Sequence, residues 1–109
     1  MSQLYRFSEH RKAPRRVFFS RSELNQLLSL YSRNVANGNW RDYAIDQIGG
    51  TAIFSVFRHT HDAPLFSIAK QGSSRSPEFV VFSGREKLKR AKTLSDALKV
   101  FRNHLKVVS

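Results

Sequence analysis

No cysteine occurs anywhere in the 109-residue chain, which excludes disulfides and thiolate metal sites and permits a reducing compartment. No apolar run approaches the ~18 residues of a membrane-spanning helix. The opening MSQLYRFSEHRKAPRR has no apolar core of the kind a secretory signal carries. These absences predict a cytoplasmic protein with no membrane span. Catalytic motifs are missing as well: there is no serine elbow between glycines and no glycine-rich phosphate loop. Acidic residues are scarce, 8 against 19 Lys and Arg, for a net charge of +11.

That excess is not spread evenly. Residues 1–21 carry +5 and residues 85–109 carry +6, while the middle holds five charges of each sign. A neutral centre between two basic flanks is the pattern of an electrostatic footprint for an anionic partner. Hydrophobic content of 40%, with nine Phe, is ample for one packed core in a chain of this length. Residues 1–17 show no sustained periodicity and read as a flexible basic arm, with residues 18–109 as a single domain.

Within the domain, Ser20-Arg21-Ser22-Glu23 fits a capping box, with Phe19 and Leu24 at the positions of a hydrophobic staple. The spacing predicts a helix whose buried stripe is Leu24, Leu27, Leu28, Tyr31 and Val35, stopped at Gly38. Gly49-Gly50 between two β-rich runs predicts a hairpin spanning Trp40 to His59. In its first limb Tyr43 and Ile45 share one face, while Asp42, Ala44 and Asp46 share a wet one. The second limb is apolar on both faces, with Ala52, Phe54 and Val56 opposite Ile53 and Phe57, as in the middle of a sheet. Further strands are predicted over residues 65–71 and 78–82, and the basic run Lys87 to Lys92 reads as an edge strand whose lysines discourage strand addition. A second capping signature at Thr93 opens a helix to about His104, with Leu94, Ala97, Leu98, Phe101 and Leu105 buried. The fold class is therefore α+β: an antiparallel meander of four to five strands packed by an N-terminal and a C-terminal helix.

Candidate chemistry is thin. His59 and His61 project the same way from an extended segment, but no third ligand accompanies them, so no metal or cofactor is predicted. Asp42 and Asp46 lie on a face read as solvated, with nothing apolar to raise either pKa for acid–base work. The expectation is a protein without enzymatic activity.

The segments FSRSELNQLLSLYSRNV, GNWRDYAID, FSVFR, PLFSIAK and LSDALKVFRNHLK together resemble a small alphaproteobacterial family of unknown function. The resemblance runs from about Phe19 to Lys106 and is most specific over Trp40–Asp46 and Phe54–Arg58. It implies a bacterial cytoplasmic single-domain protein and transfers no activity, cofactor or catalytic residue.

Two functions fit these observations. In one, Arg11, Lys12, Arg15 and Arg16 of the arm, with Lys87, Lys89, Arg90, Lys92, Lys99 and Arg102, contact the phosphates of a nucleic acid. In the other, the chain is a protein-interaction or regulatory module, including a homodimer. The choice turns on the helices: if both cover the same face of the sheet, the apolar side chains of the other face want a partner.

Overall fold

The computed structural model describes residues 17–59, 63–73 and 75–102. The elements run α1 (Arg21–Ala36), β1 (Asp42–Ile48), β2 (Thr51–Phe57), β3 (Phe66–Gly72), β4 (Pro77–Ser83), β5 (Glu86–Ala91) and α2 (Leu94–Ala97). The five strands form one antiparallel sheet in the order β1-β2-β3-β4-β5, the meander read from the sequence. Residues 1–16, His61, Asp62, His104, Leu105 and Lys106 lie outside the described residues.

The start of α1 forms as its sequence dictates. The Glu23 amide donates to Ser20 Oγ at 3.1 Å, and the Ser20 amide donates to Glu23 Oε1 at 2.7 Å, so two otherwise orphaned donors are satisfied. The lead-in alternates: Val17 and Phe19 are buried and Phe18 is exposed. The Val17 carbonyl accepts a bond from Gln47 Nε2 at 2.9 Å, which ties the end of the arm to β1.

The buried stripe of α1 differs from expectation. Leu27, Leu30 and Asn34 are its buried residues, Leu24, Leu28 and Tyr31 pack beside them, and Val35 is 40% exposed. The helix end explains the rotation. Asn34 Nδ2 donates to the Leu30 carbonyl at 2.8 Å, and the Asn34 carbonyl accepts from the Asn39 and Trp40 amides at 2.8 and 3.1 Å. A buried amide at position 34 thus organises the exit turn through Gly38, and its neighbour Val35 is turned outward.

The hairpin turn carries positive φ at Gly49 (+62°) and not at Gly50, the pattern of a type II′ turn. Pairing Ile45 with Phe54 puts Tyr43, Ile45 and Gln47 on the same face as Ala52, Phe54 and Val56. The expected half-wet first limb is wetter than that. The strand contribution to the core comes from β2, β3 and β4, so even on the covered face Tyr43 is 39% and Ile45 47% exposed. β1 is an edge strand, and its position rather than its pattern sets this exposure.

Both helices lie on the same face. Leu27 and Leu30 of α1 and Leu94, Ala97 and Phe101 share one core with Phe54, Val56, Phe66, Ile68, Phe79 and Val81. Trp40, Phe66 and Phe101 form a ring trio at its end, with centroids 4.9–6.1 Å apart. Tyr31 meets Tyr43 edge-on at 4.8 Å and donates its hydroxyl to the Arg41 carbonyl at 2.9 Å. Burial foremost, then the nearby Asp42 charge, raises the pKa of that phenol.

One charge is buried in this layer. Lys70 on β3 reaches up to Glu23 Oε1 at 2.7 Å and to the Phe18 carbonyl at 2.8 Å, with its ammonium 5.8 Å from the Phe79 ring centroid. It clamps the N-terminus of α1 to the middle of the sheet.

The C-terminal helix departs from expectation too. α2 is a single turn that caps at Leu98, and helical geometry resumes over residues 99–102. Leu94, Ala97 and Phe101 are buried as predicted, while Leu98 is half-buried.

Candidate nucleic-acid interface

Of the expected phosphate-binding residues, Lys87, Lys89, Arg90, Lys92, Lys99 and Arg102 sit on β5, the turn after it, and the helical segment that follows. β5 manages to bury and expose at once through a bulge. Phe82 pairs with Lys87 and Val81 with Lys89, which leaves Leu88 as the extra residue. Leu88 packs on the core, while Lys87 and Lys92 remain exposed and Lys89 half-buried. A regular strand would alternate these side chains strictly. The bulge is what lets the run Lys87-Leu88-Lys89-Arg90 serve both demands, and nothing in the sequence marks it.

The expected phosphate-binding set divides by its neighbours. Arg90 Nε lies 3.0 Å from Glu78 Oε2 on the adjacent strand, and Lys99 Nζ lies 3.1 Å from Asp96 Oδ1 one turn back. The hydrogen bond from Lys99, then its charge, holds the Asp96 carboxyl below its ordinary range. Lys87, Lys89, Lys92 and Arg102 make no ion pair with any described residue. Between Arg85 and Arg102 the chain has seven basic and two acidic residues, a local charge of +5. The opposite edge, β1, instead exposes Asp42 and Asp46. The sheet is therefore polarised from an acidic edge to a basic one. Arg11, Lys12, Arg15 and Arg16 lie outside the described residues.

Tertiary packing adds a residue that the charge count hid. A groove of about 530 Å³ runs between α1 and the C-terminal helical segment, lined among others by Arg33, Asn37 and Arg102 above a floor of Leu30, Asn34 and Leu98. Ser95 Oγ donates to Gln26 Oε1 at 3.1 Å and joins the two helices at one end. Arg33 from α1 and Arg102 from the segment after α2 both line this groove. Among the described residues no carboxylate lines it and neither arginine has an ion pair. Arg33 belongs to the neutral middle of the sequence, so only the fold reveals that it lines the same groove as Arg102.

Among the described residues there is no group of three metal-ligating side chains. No described helix is long and apolar enough to cross a membrane. Neither the curated proteins nor the solved structures compared with the chain gave a match. The family comparison did, over most of the fold from the buried Val17 to the end of α2: the chain belongs to the family described as Protein of unknown function (DUF2794), whose model matches residues 17–98.

Proposed function

We propose that this protein is a non-enzymatic, nucleic-acid-associated module that binds phosphates through its C-terminal basic segment and its N-terminal arm. The observation that carries this reading is the set Lys87, Lys89, Lys92 and Arg102, four cations with no ion pair among the described residues, on β5 and the segment packed after it. Phosphate neutralisation by such groups releases counterions, so binding is strong at low salt, weak at high salt and largely indifferent to sequence. Arg90 and Lys99 contribute less, because each already holds a carboxylate. Arg11, Lys12, Arg15 and Arg16 extend the same footprint. The resemblance of Trp40–Asp46 and Phe54–Arg58 to an alphaproteobacterial family makes the bacterial cytoplasm the setting of this reading.

The test is an anisotropy titration of labelled single- and double-stranded oligonucleotides at two salt concentrations. Saturable binding at low salt that weakens at high salt supports the proposal; no binding at low salt rejects it.

A specific observation favours a second reading, a protein-interaction module such as a homodimer. With both helices on one face, Ile53, Phe57 and Phe82 on the other stay half-exposed around the buried Ser55, Ala69 and Val80, and no described helix covers them. Light scattering decides this reading: a mass that rises with concentration supports it, and a strict monomer rejects the homodimer.

A further inference from the structure

The groove between α1 and the C-terminal helical segment has a feature that a basic surface edge does not explain. Two guanidinium-bearing residues from different elements line one concavity, with no carboxylate among the described residues of its walls. Neither arginine has an ion pair among the described residues, so both charges are free to act on an anion in the groove. The surrounding groups suit an oxyanion. Asn37 and Ser29 line the same groove and supply neutral donors, while Leu30 and Leu98 form a partly apolar floor. The Ser95–Gln26 bond joins the two walls of the groove. Arginine is the side chain best shaped for this task, because its planar fork matches two oxygens of one phosphate.

We propose that Arg33 and Arg102 form a discrete phosphate site in the interhelical groove, taking either a phosphate group of a nucleic-acid strand or the phosphate of a small free anion. The site deepens the nucleic-acid reading where a strand supplies the phosphate, and stands without it where a free anion does. Its ligand is a single tetrahedral oxyanion held by two guanidiniums, not an extended polyanion held by scattered surface charge. Arg33 is the residue that separates the two ideas, since it lies away from β5 and carries no part of the edge footprint.

The test follows the arginine Nε–Hε resonances of the full-length protein by NMR during titration with inorganic phosphate, against sodium chloride at matched ionic strength. Saturable shifts at both Arg33 and Arg102 with phosphate, absent with chloride, are expected. Arg33→Gln or Arg102→Gln should each weaken phosphate binding about tenfold or more, as loss of a charge-assisted contact implies. The fluorescence of Trp40 checks that each variant stays folded. No shift with phosphate, or an unchanged affinity in both variants, overturns the site. Oligonucleotides with and without a 5′-phosphate then distinguish the sources. A loss of affinity in Arg33→Gln confined to the phosphorylated strand assigns the site to a strand terminus, and an equal loss on both strands assigns it to a backbone phosphate. Phosphate binding with no oligonucleotide binding keeps the site as one for a free anion and removes the nucleic-acid reading. Oligonucleotide binding unaffected by Arg33→Gln, with no response to phosphate, removes the site and leaves that reading intact.

Discussion

Replacing Lys70 by methionine tests the way the first helix is held to the sheet. The ammonium makes two short contacts, to Glu23 Oε1 at 2.7 Å and to the Phe18 carbonyl at 2.8 Å, and its side chain is 10% exposed. Methionine keeps most of the volume and removes both contacts, leaving a carboxylate and a carbonyl short of a partner. Breaking a buried pair from one side costs about 3–5 kcal/mol. The Glu23 side chain is 18% exposed and keeps its bond to the Ser20 amide, so water and the cap recover part of that loss. The expected destabilisation is about 2–3 kcal/mol, below the full figure because a partly exposed partner is screened. Urea unfolding followed by the single, buried Trp40 measures it, since Trp40 packs on Phe66 and Phe101 and loses both on unfolding. Combining Lys70→Met with Glu23→Gln should show a coupling of about 1–2 kcal/mol. A loss for Lys70→Met within about 0.5 kcal/mol of zero, the range of an ordinary surface change, would refute the clamp.

Other perturbations follow from the same geometry. Gly72 has φ +94°, and a Cβ there would lie 2.7 Å from the Ser76 carbonyl oxygen, whereas one on Gly49 (φ +62°) meets nothing within 4 Å. Gly49→Ala should therefore cost about 1–2 kcal/mol from conformation alone and Gly72→Ala clearly more, both read by urea unfolding. The Asp96 carboxyl should titrate below its ordinary 3.8 in carbon-detected NMR and move back up in Lys99→Met. Because the folded value is the depressed one, its stabilisation is complete above the ordinary value and is lost as pH falls through the folded one, so the urea midpoint should fall only in that acid window. Oligonucleotide affinity should drop more for Lys87→Gln than for Arg90→Gln, whose guanidinium is already engaged by Glu78, and the same titration at low salt compares them.

Much of the fold was legible because local signals agreed with one another. The Ser20–Glu23 box, the Gly49 turn and the two-sided apolar pattern of β2 each rest on residue chemistry within a few positions, and each formed as read. What escaped depended on distant partners. Periodicity placed Val35 in the core, but the Asn34 amide claimed that part of the helix for the exit turn. The pattern of β1 gave its faces correctly and its exposure poorly, since no residue records that a strand lies at an edge. The continuous helix expected after Thr93 breaks at Leu98. The candidate site shows the same division. Lys87, Lys89 and Lys92 stood out as a charge run, whereas the bulge at Leu88 and the groove that Arg33 and Arg102 both line are products of the register and packing of separate elements. The sequence also posed the question of which face the helices cover, and only the sheet's partners in the core answer it.

The most direct test of phosphate-directed binding is the salt dependence of oligonucleotide affinity in the parent and in a variant with Lys87, Lys89, Lys92 and Arg102 all changed to Gln. For a single strand each phosphate contact contributes about 0.7 to the slope of log affinity against log salt. The account predicts a steep parental slope that becomes shallower by about 3 in the four-site variant, with the fold intact by Trp40 fluorescence. An unchanged slope would contradict it, because binding would then owe nothing to this edge.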